Sequence, residues 1–464
     1  MQKALLIKIG IVLLLSLLIN IPLGMLSNLV NERQGRQNQV ETEIAKSYAD
    51  PQFITGPLFV VPYIEEYSIE EKVRDADGDT GKTRIRLHRQ NSVFYVAPAS
   101  LNATGKLQTD IKKRSLFEVP VYTLDSAWDG NFDFPSEQDI PRTVAGSKIM
   151  LGSPFISLPV SDPRGFATAP IFELDGKALK VEQGSGMAFA PAGVKVLLNS
   201  SVLQSGATHP FKLSLKLRGT SQLRVIPLAG AMKMHLSSNW QHPSFDGRFL
   251  PLPDGQYVGK DGFRASWEVS ALASNANAKL MQLASNPTSC AQAACLDSFE
   301  VKLVNPVSIY HQAERALKYG FLFIGITFMA FFLFEMLKRL AIHPAQYTLV
   351  GLAQAMFFLL LLSFSEHINF TAAYVIAAVA CVILVGYYLG YVMRGTWRGA
   401  GFASLLGACY AALYGLLVSE DNALLMGSLL LFILLAVSMT VTRNFDWYAI
   451  NTKSLDNTKS ASQV

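Results

Sequence analysis

The chain has 464 residues, of which 50% are hydrophobic and only 16% are charged, and its formal net charge is +5. This composition is too apolar for an ordinary soluble protein, although the length leaves room for a sizeable domain outside a membrane. The basic residues are spread over many loops, with no block that could neutralise a run of phosphates, which argues against a nucleic-acid partner.

The N-terminal segment predicts a membrane anchor. An apolar run covers residues 7–30 and follows Lys3 and Lys8. The run is long for the core of a signal peptide, and no small-residue cleavage pattern closely follows it. We therefore predict that residues 1–30 form an uncleaved signal anchor that spans the membrane, with a cleaved signal peptide as the alternative.

Residues 31–315 predict a β-rich domain. Short β-branched and aromatic runs alternate there with Gly, Pro, Asn and Asp, and residues 212–217 alternate apolar and polar side chains as a half-buried strand does. The irregular spacing and the lack of a long helical pattern favour a mostly antiparallel, sandwich-like domain over a parallel α/β sheet. Between residues 64 and 86, a polar alternation that turn residues interrupt predicts a protruding hairpin.

The C-terminal part predicts a bundle of transmembrane helices. Five apolar runs of about twenty residues each, the length that crosses a bilayer core, occupy residues 319–337, 347–365, 372–393, 402–418 and 423–441. Glu335 is the one acidic or basic residue within them. Basic and acidic linkers alternate, so the positive-inside rule places the basic linkers and both termini in the cytoplasm. The prediction is a periplasmic domain over 31–315, a five-helix membrane domain over 316–442 and a cytoplasmic tail over 443–464.

The four cysteines fall into two classes. Cys290 and Cys295 lie in the predicted periplasmic domain with four residues between them, enough for the loop to turn back and bring the α-carbons to bonding distance. We predict a disulfide between them; free thiols, a redox-active pair and a metal-binding pair are the alternatives. Cys381 and Cys409 lie within apolar runs, where a small buried hydrophobic residue is the simplest interpretation.

No motif predicts a catalytic, cofactor-binding or metal site. The seven histidines show no pair at helical spacing. Ser185 lies in Gly-Ser-Gly, which misses the nucleophile-elbow pattern by one position and indicates a loop. Residues 78–83 end like a phosphate-binding loop, but Ala76 takes the place of the first glycine. We therefore expect no enzyme and no cofactor.

The membrane runs carry small residues in place of charges. Gly386 and Gly390 form a Gly-x-x-x-Gly pattern, and close helix packing explains such spacing without a transport role. Transporters usually place ionisable groups in the bilayer interior, so their scarcity here argues against ion-coupled transport. Glu366, at the outer end of one run, is interpreted as a polar cap at the membrane interface.

Local strings along nearly the whole chain resemble one known family. They include Asn31-Glu32-Arg33, Gly56-Pro57-Leu58, Phe117-Glu118-Val119-Pro120, Trp240-Gln241-His242-Pro243, His343-Pro344-Ala345-Gln346-Tyr347 and Arg443-Asn444-Phe445-Asp446-Trp447-Tyr448. This ordered set resembles the CreD family of bacterial inner-membrane proteins, with a departure at Arg114-Ser115, where the family usually has Arg-Gly. The resemblance implies an envelope-integrity protein, in enterobacteria controlled by a carbon-source-responsive two-component system and associated with tolerance of colicins and envelope stress. It implies no catalytic residues.

The sequence as a whole therefore predicts a non-enzymatic inner-membrane protein that maintains the cell envelope by binding or scaffolding through its periplasmic domain. A transporter or channel-like protein for an envelope component is the alternative, and a membrane enzyme is the third interpretation. The lipid bilayer is one partner, and envelope proteins, lipids and glycans are the other candidates. The sequence does not define an oligomeric state.

Overall fold

The structure is a computed structural model that describes residues 2–75, 78–204, 206–285, 295–304, 309–338, 342–393, 395–418 and 423–443. The chain divides into two compact units. Met1–Gln37 and Val307–Val464 form one, which we call the membrane unit. Asn38–Pro306 form the other, which we call the β unit.

The helices of the described residues are α1 (Gln2–Leu18), α2 (Asn20–Ser47), α3 (Ala276–Ser285), α4 (Ile309–Lys338), α5 (Pro344–Ser365), α6 (Phe370–Val392), α7 (Thr396–Val418) and α8 (Ala423–Thr442). α1 with the start of α2, and α4 to α7, carry long apolar stretches, which a bilayer can accept because a helix satisfies its own backbone hydrogen bonds.

Five helical stretches of the described chain are long and apolar enough to cross a membrane: Ile7–Ser47, Ile309–Met336, Pro344–Ser365, Phe370–Val392 and Thr396–Val418. They confirm the N-terminal span and four of the C-terminal spans that the sequence predicts. The remaining predicted span forms α8, but its apolar stretch there, Leu425–Val437, is shorter than one bilayer crossing. A crossing by α8 therefore stays a prediction.

Sequence-encoded caps start two of the membrane helices. His343 precedes α5 and accepts a hydrogen bond from the amide of Ala345 at 3.2 Å, with Pro344 at the first helical position. Asn369 precedes α6 and accepts from the amide of Ala372 at 2.8 Å. These bonds satisfy amides that have no partner within the first turn of a helix.

Eighteen strands occur in the described part of the β unit: β1 (Gln52–Thr55), β2 (Leu58–Asp75), β3 (Gly78–Val96), β4 (Ser100–Arg114), β5 (Phe117–Asp133), β6 (Lys148–Leu151), β7 (Phe155–Pro159), β8 (Ile171–Leu174), β9 (Lys177–Leu179), β10 (Val181–Gln183), β11 (Gly193–Leu197), β12 (Thr208–Thr220), β13 (Gln222–Ile226), β14 (Ala231–Ser238), β15 (Pro243–Gly247), β16 (Tyr257–Gly259), β17 (Gly262–Ser270) and β18 (Phe299–Leu303). This confirms the mostly-β domain.

The strands form three sheets. A four-stranded sheet has the order β1-β13-β18-β15, and a six-stranded sheet has the order β10-β11-β7-β2-β3, with β6 also paired to β2. An eight-stranded sheet has the order β16-β17-β14-β4-β5-β12-β8-β9. Most pairs are antiparallel, as predicted, whereas β1 pairs with β13 and β14 pairs with β4 in parallel.

The eight-stranded sheet has one buried face and one exposed face. β12 alternates buried and exposed side chains along most of its length, which confirms the predicted half-buried strand at residues 212–217. Trp128, Phe132 and Phe211 lie on the buried face and belong to the main core of the β unit. Full burial of a large apolar side chain contributes roughly 1.5–3 kcal/mol, so this face anchors the unit and leaves the opposite face to solvent.

The predicted protruding hairpin is present as β2 and β3. The two strands pair from Phe59 and Val96 outward through Glu66 and Arg89 and further toward the tip. The Asp75–Gly78 end of the hairpin includes residues 76–77, which lie outside the described part. Residues 68–70 and 85–91 are exposed, so this part of the hairpin has no core of its own.

Candidate functional site

A row of polar side chains crosses the exposed face of the eight-stranded sheet. Asn102 on β4 lies opposite Asp129 on β5, and Asp129 lies opposite Lys212 on β12. Lys212 in turn lies opposite Glu173 on β8. Because directly opposed residues of antiparallel strands project from the same face, the register brings these four side chains together.

This row lines a groove of about 400 Å³. Ser100 and Asn131 extend its polar lining. Gly130 of β5 also lines the groove and allows β5 to approach β4 closely. A Cβ atom on Gly130 would lie 2.2 Å from the carbonyl oxygen of Ser100, so a larger residue could not keep this backbone geometry. The groove combines amide, hydroxyl, carboxylate and ammonium groups, which can bind a polar ligand through hydrogen bonds.

Two other lysines on this face are paired with acidic residues. Lys216 lies 3.4 Å from Asp125, four residues further along β12 and β5 on the same face, and Lys233 lies 2.9 Å from Glu268. Lys212 has no ion-pair partner among the described residues. The groove therefore holds an exposed ammonium group that a ligand can engage without breaking an existing ion pair.

The membrane unit contains a buried ion pair that the sequence did not reveal. Glu335 of α4 is only 5% exposed, and its carboxylate pairs with the ammonium group of Lys8 on α1. Tyr347 donates its hydroxyl to the same carboxylate at 2.8 Å, and the amide of Ile342 donates at 3.1 Å. The charge is thus fully compensated, which is the arrangement expected of a structural link between α1, α4 and α5.

Neutral polar groups join the interior of the helices. Gln354 donates to the hydroxyl of Thr327 at 2.6 Å, and Tyr410 donates to the sulfur of Cys381 at 3.1 Å. The hydroxyl of Tyr374 donates to the carbonyl of Tyr410 at 2.7 Å. In a bilayer such bonds hold helices together, so these contacts account for polar residues within α4 to α7.

The comparison with known proteins identifies the family. The family profile described as "Inner membrane protein CreD" matches residues 4–448. The protein named "Inner membrane protein CreD" from Escherichia coli (strain K12) is 34% identical over 450 residues, which cover 97% of this chain and 94% of that protein. The chain belongs to the CreD family. This confirms the predicted membership, and with it a multi-pass location in the inner membrane.

Glu366 of this CreD-family chain joins three helices of the membrane unit. Its carboxylate lies 3.4 Å from the guanidinium nitrogen Nε of Arg33 on α2, and Tyr310 on α4 donates to it at 3.3 Å. Glu366 itself follows the last residue of α5. These contacts agree with its interpretation as a polar cap.

The predicted disulfide of this CreD-family chain stays a prediction. Cys290 lies outside the described residues. The carbonyl of Cys295 accepts a hydrogen bond from Lys279 of α3 at 3.1 Å, and Lys279 also pairs with Asp297 at 2.9 Å. The segment after Cys295 is thereby fixed to α3.

Other residues that the sequence analysis singled out have structural contacts. Ser185 is buried, accepts from the amide of Met187 at 3.0 Å and donates to the carbonyl of Ala190, so it closes a loop, as the sequence indicated. Within the described residues no group of three or more His, Cys, Asp or Glu side chains could hold a metal ion. The polar groove was missed because only strand register, which the sequence does not display, brings its residues together.

Proposed function

We propose that this CreD-family protein maintains the cell envelope without catalysing a reaction, by binding a polar envelope component in the groove of its β unit. The observation that carries the proposal is Lys212, an exposed ammonium group in a polar groove that has no ion-pair partner among the described residues, whereas Lys216 and Lys233 of the same face are paired. Hydrogen-bonding groups of both polarities suit a ligand that carries hydroxyl, amide and carboxylate groups, such as an envelope glycan or peptide.

The proposal places the β unit in the periplasm. Basic and acidic linkers alternate between the apolar runs, and cytoplasmic loops carry the excess of Lys and Arg. Alkaline phosphatase is active only after export, so a fusion at Asn369 should be active and a fusion at Arg398 inactive. The reverse pattern would place the β unit in the cytoplasm and contradict the proposal.

A charge-reversal pair tests the groove. In a strain that lacks the gene, the full-length Asp129→Lys/Lys212→Glu variant should fail to restore resistance to colicin and detergent, because it inverts the charges that meet the ligand. The matched control is Asp125→Lys/Lys216→Glu, which changes the same residue types on the same two strands and the same face. The control should restore resistance. Equal membrane levels of both variants, checked by immunoblot, exclude a folding defect, and equal resistance would refute the groove as the site.

The enzyme interpretation has its own test. His235 of β14 and Ser266 of β17 lie opposite each other on the exposed face of the eight-stranded sheet. Their Nδ1 and Oγ atoms are 2.8 Å apart, which is the spacing of a base and a nucleophile. A binding function predicts that His235→Ala and Ser266→Ala restore resistance as well as the wild type. Loss of resistance in both variants, at normal protein levels, would favour an enzyme.

A flux measurement distinguishes the transporter interpretation from the binding function. The described acidic group of the membrane interior, Glu335, already has Lys8 and Tyr347 as partners, which leaves it no vacant position for a transported ion. The proposal therefore predicts that vesicles containing the purified protein show no flux driven by a proton or sodium gradient. A robust flux that depends on such a gradient would contradict the binding function and support transport.

A further inference from the structure

The long hairpin of β2 and β3 exposes an edge that differs from every other sheet edge in the described part of the β unit. The other terminal strands, β1, β9, β10, β15 and β16, have between three and five residues. β3 has 19 residues and pairs only with β2 among the described strands. Natural sheets usually shorten, cover or bend their edges, because a free edge is a template for another strand.

The register identifies which amide groups face this edge. The carbonyl of Pro62 on β2 accepts from the amide of Gly152, on the side of β6, at 2.8 Å. In an antiparallel ladder the amide and carbonyl of one residue point to the same side, and successive residues alternate. Val93, which lies opposite Pro62, therefore directs its amide group to the free edge. By the same alternation, Asn91, Arg89, Leu87 and Ile85 also direct their amide groups to the free edge.

The side chains along the edge are amphipathic. Ile85 and Leu87 project from one face of the hairpin and are 71% and 58% exposed. Arg86 and His88 project from the opposite face and are also exposed. An isolated two-stranded hairpin is only marginally stable in water, so exposed apolar residues on such a hairpin indicate a surface that another strand covers.

The charge pattern selects the partner. Residues 85–96 contain Arg86, His88 and Arg89 and no acidic residue, and of these Arg89 is already paired with Glu66 of β2. A second copy of β3 would place these basic side chains against each other, and like charges directly opposite destabilise a strand pair. β2 offers less free edge, because β6 covers it as far as Glu66.

We infer that the free edge of β3 binds an extended segment of a partner protein in which acidic and apolar residues alternate, by adding it as a further strand. Backbone hydrogen bonds to the edge residues supply the attachment. The acidic residues of the segment face Arg86 and His88, and its apolar residues cover Ile85 and Leu87. This inference is independent of the groove on the eight-stranded sheet.

The test uses the purified full-length protein in detergent and fluorescent octapeptides that alternate Val with Glu or Val with Lys. The Glu peptide should bind at least about tenfold more tightly than the Lys peptide, because opposite charges at the rim guide the choice of partner. Arg86→Glu should reverse this preference. Equal binding of the two peptides, or binding of neither, would overturn the inference.

Proline variants test the backbone contacts. Leu87→Pro and Asn91→Pro each remove one amide that faces the free edge and none that pairs with β2, so binding of the Glu peptide should fall at least about tenfold. Leu87→Thr and Asn91→Thr keep the amide and are the matched controls. An unchanged melting temperature shows that the fold is intact. Proline variants that bind like their threonine controls would exclude strand addition, and a dimer that only the proline variants lose would assign the edge to a second copy.

Discussion

Gly399 of α7 packs directly against Gly390 of α6. A Cβ atom on Gly399 would lie 2.6 Å from the α-carbon of Gly390, which no relaxed structure tolerates. Likewise, a Cβ atom on Gly386 would lie 2.8 Å from that of Ala403. The Gly-x-x-x-Gly pattern thus serves packing between two helices of the same chain, which confirms its interpretation as a helix-packing motif.

Gly399→Ala should therefore destabilise the membrane unit. The added methyl group forces α6 and α7 apart, and overpacking of this kind costs about 1–3 kcal/mol. Gly401→Ala is the control on the same helix, because a Cβ atom there meets nothing within 4 Å. Thermal unfolding in detergent should show a lower melting temperature for Gly399→Ala alone. Equal melting temperatures for the two variants would contradict the packing of α6 on α7.

The ion pair of Lys8 and Glu335 should contribute to stability. Lys8→Met leaves a buried carboxylate without its counter-charge. It should lower the free energy of unfolding by up to about 3 kcal/mol, which is the lower end of the range for breaking a buried ion pair. The value is at the lower end because the Lys8 side chain is 31% exposed. Lys8→Met/Glu335→Gln should recover much of the loss, because it also removes the charge.

An exposed ion pair on α4 provides the control for Lys8. Lys318 lies 2.9 Å from Glu314, one helical turn away, with 69% of its side chain exposed. Lys318→Met should cost less than about 0.5 kcal/mol, as is usual for exposed pairs. Thermal unfolding of the purified variants measures the difference. If Lys8→Met and Lys318→Met were equally mild, the ion pair of Lys8 would not support the fold.

Glu65 should make the stability of the β unit depend on pH. Its carboxylate accepts from the hydroxyl of Ser147 at 2.6 Å and from the amides of Val144 and Thr143 at 3.0 and 2.8 Å. These bonds, that of Ser147 first, lower the pKa of Glu65 from 4.5 to about 2. Because the folded pKa lies below the unfolded pKa, the stabilisation is complete above pH 4.5 and is lost as the pH falls toward 2.

Glu65→Gln tests this dependence on pH. The amide keeps one oxygen as an acceptor but carries no charge, so the variant should melt at a lower temperature than the wild type at neutral pH. The two melting temperatures should converge as the pH is lowered from 4.5 to about 2. A constant difference at all pH values would exclude the charge of Glu65 as the cause.

The disulfide between Cys290 and Cys295 should protect both thiols from labelling. In a variant with Cys381 and Cys409 replaced by Ala, unfolded protein quenched from intact cells should react with a maleimide only after reduction. Loss of the disulfide should cost about 2 kcal/mol, because it closes a short loop. The single variants Cys290→Ser and Cys295→Ser should each show one reactive thiol. Two reactive thiols without reductant would refute the pairing or the periplasmic placement.

The sequence by itself determined the membrane helices and the nature of the β unit. Run length is a local property, so the apolar stretches of α4 to α7 were visible without any tertiary contact. Alternation with a period of two residues is equally local, and it predicted the half-buried part of β12 correctly. Caps such as His343 and Asn369 also depend only on their near neighbours.

Only the tertiary structure decided which of these residues meet. Lys8 and Glu335 are 327 positions apart, and their pairing depends on helix packing that no local pattern encodes. The groove depends on the register of four strands, since a shift of one residue would turn Lys212 from the solvent toward the core. The free edge of β3 follows from strand order, a long-range property of the sheet. Chain connectivity leaves many pairings open, and burial of the apolar face selects among them.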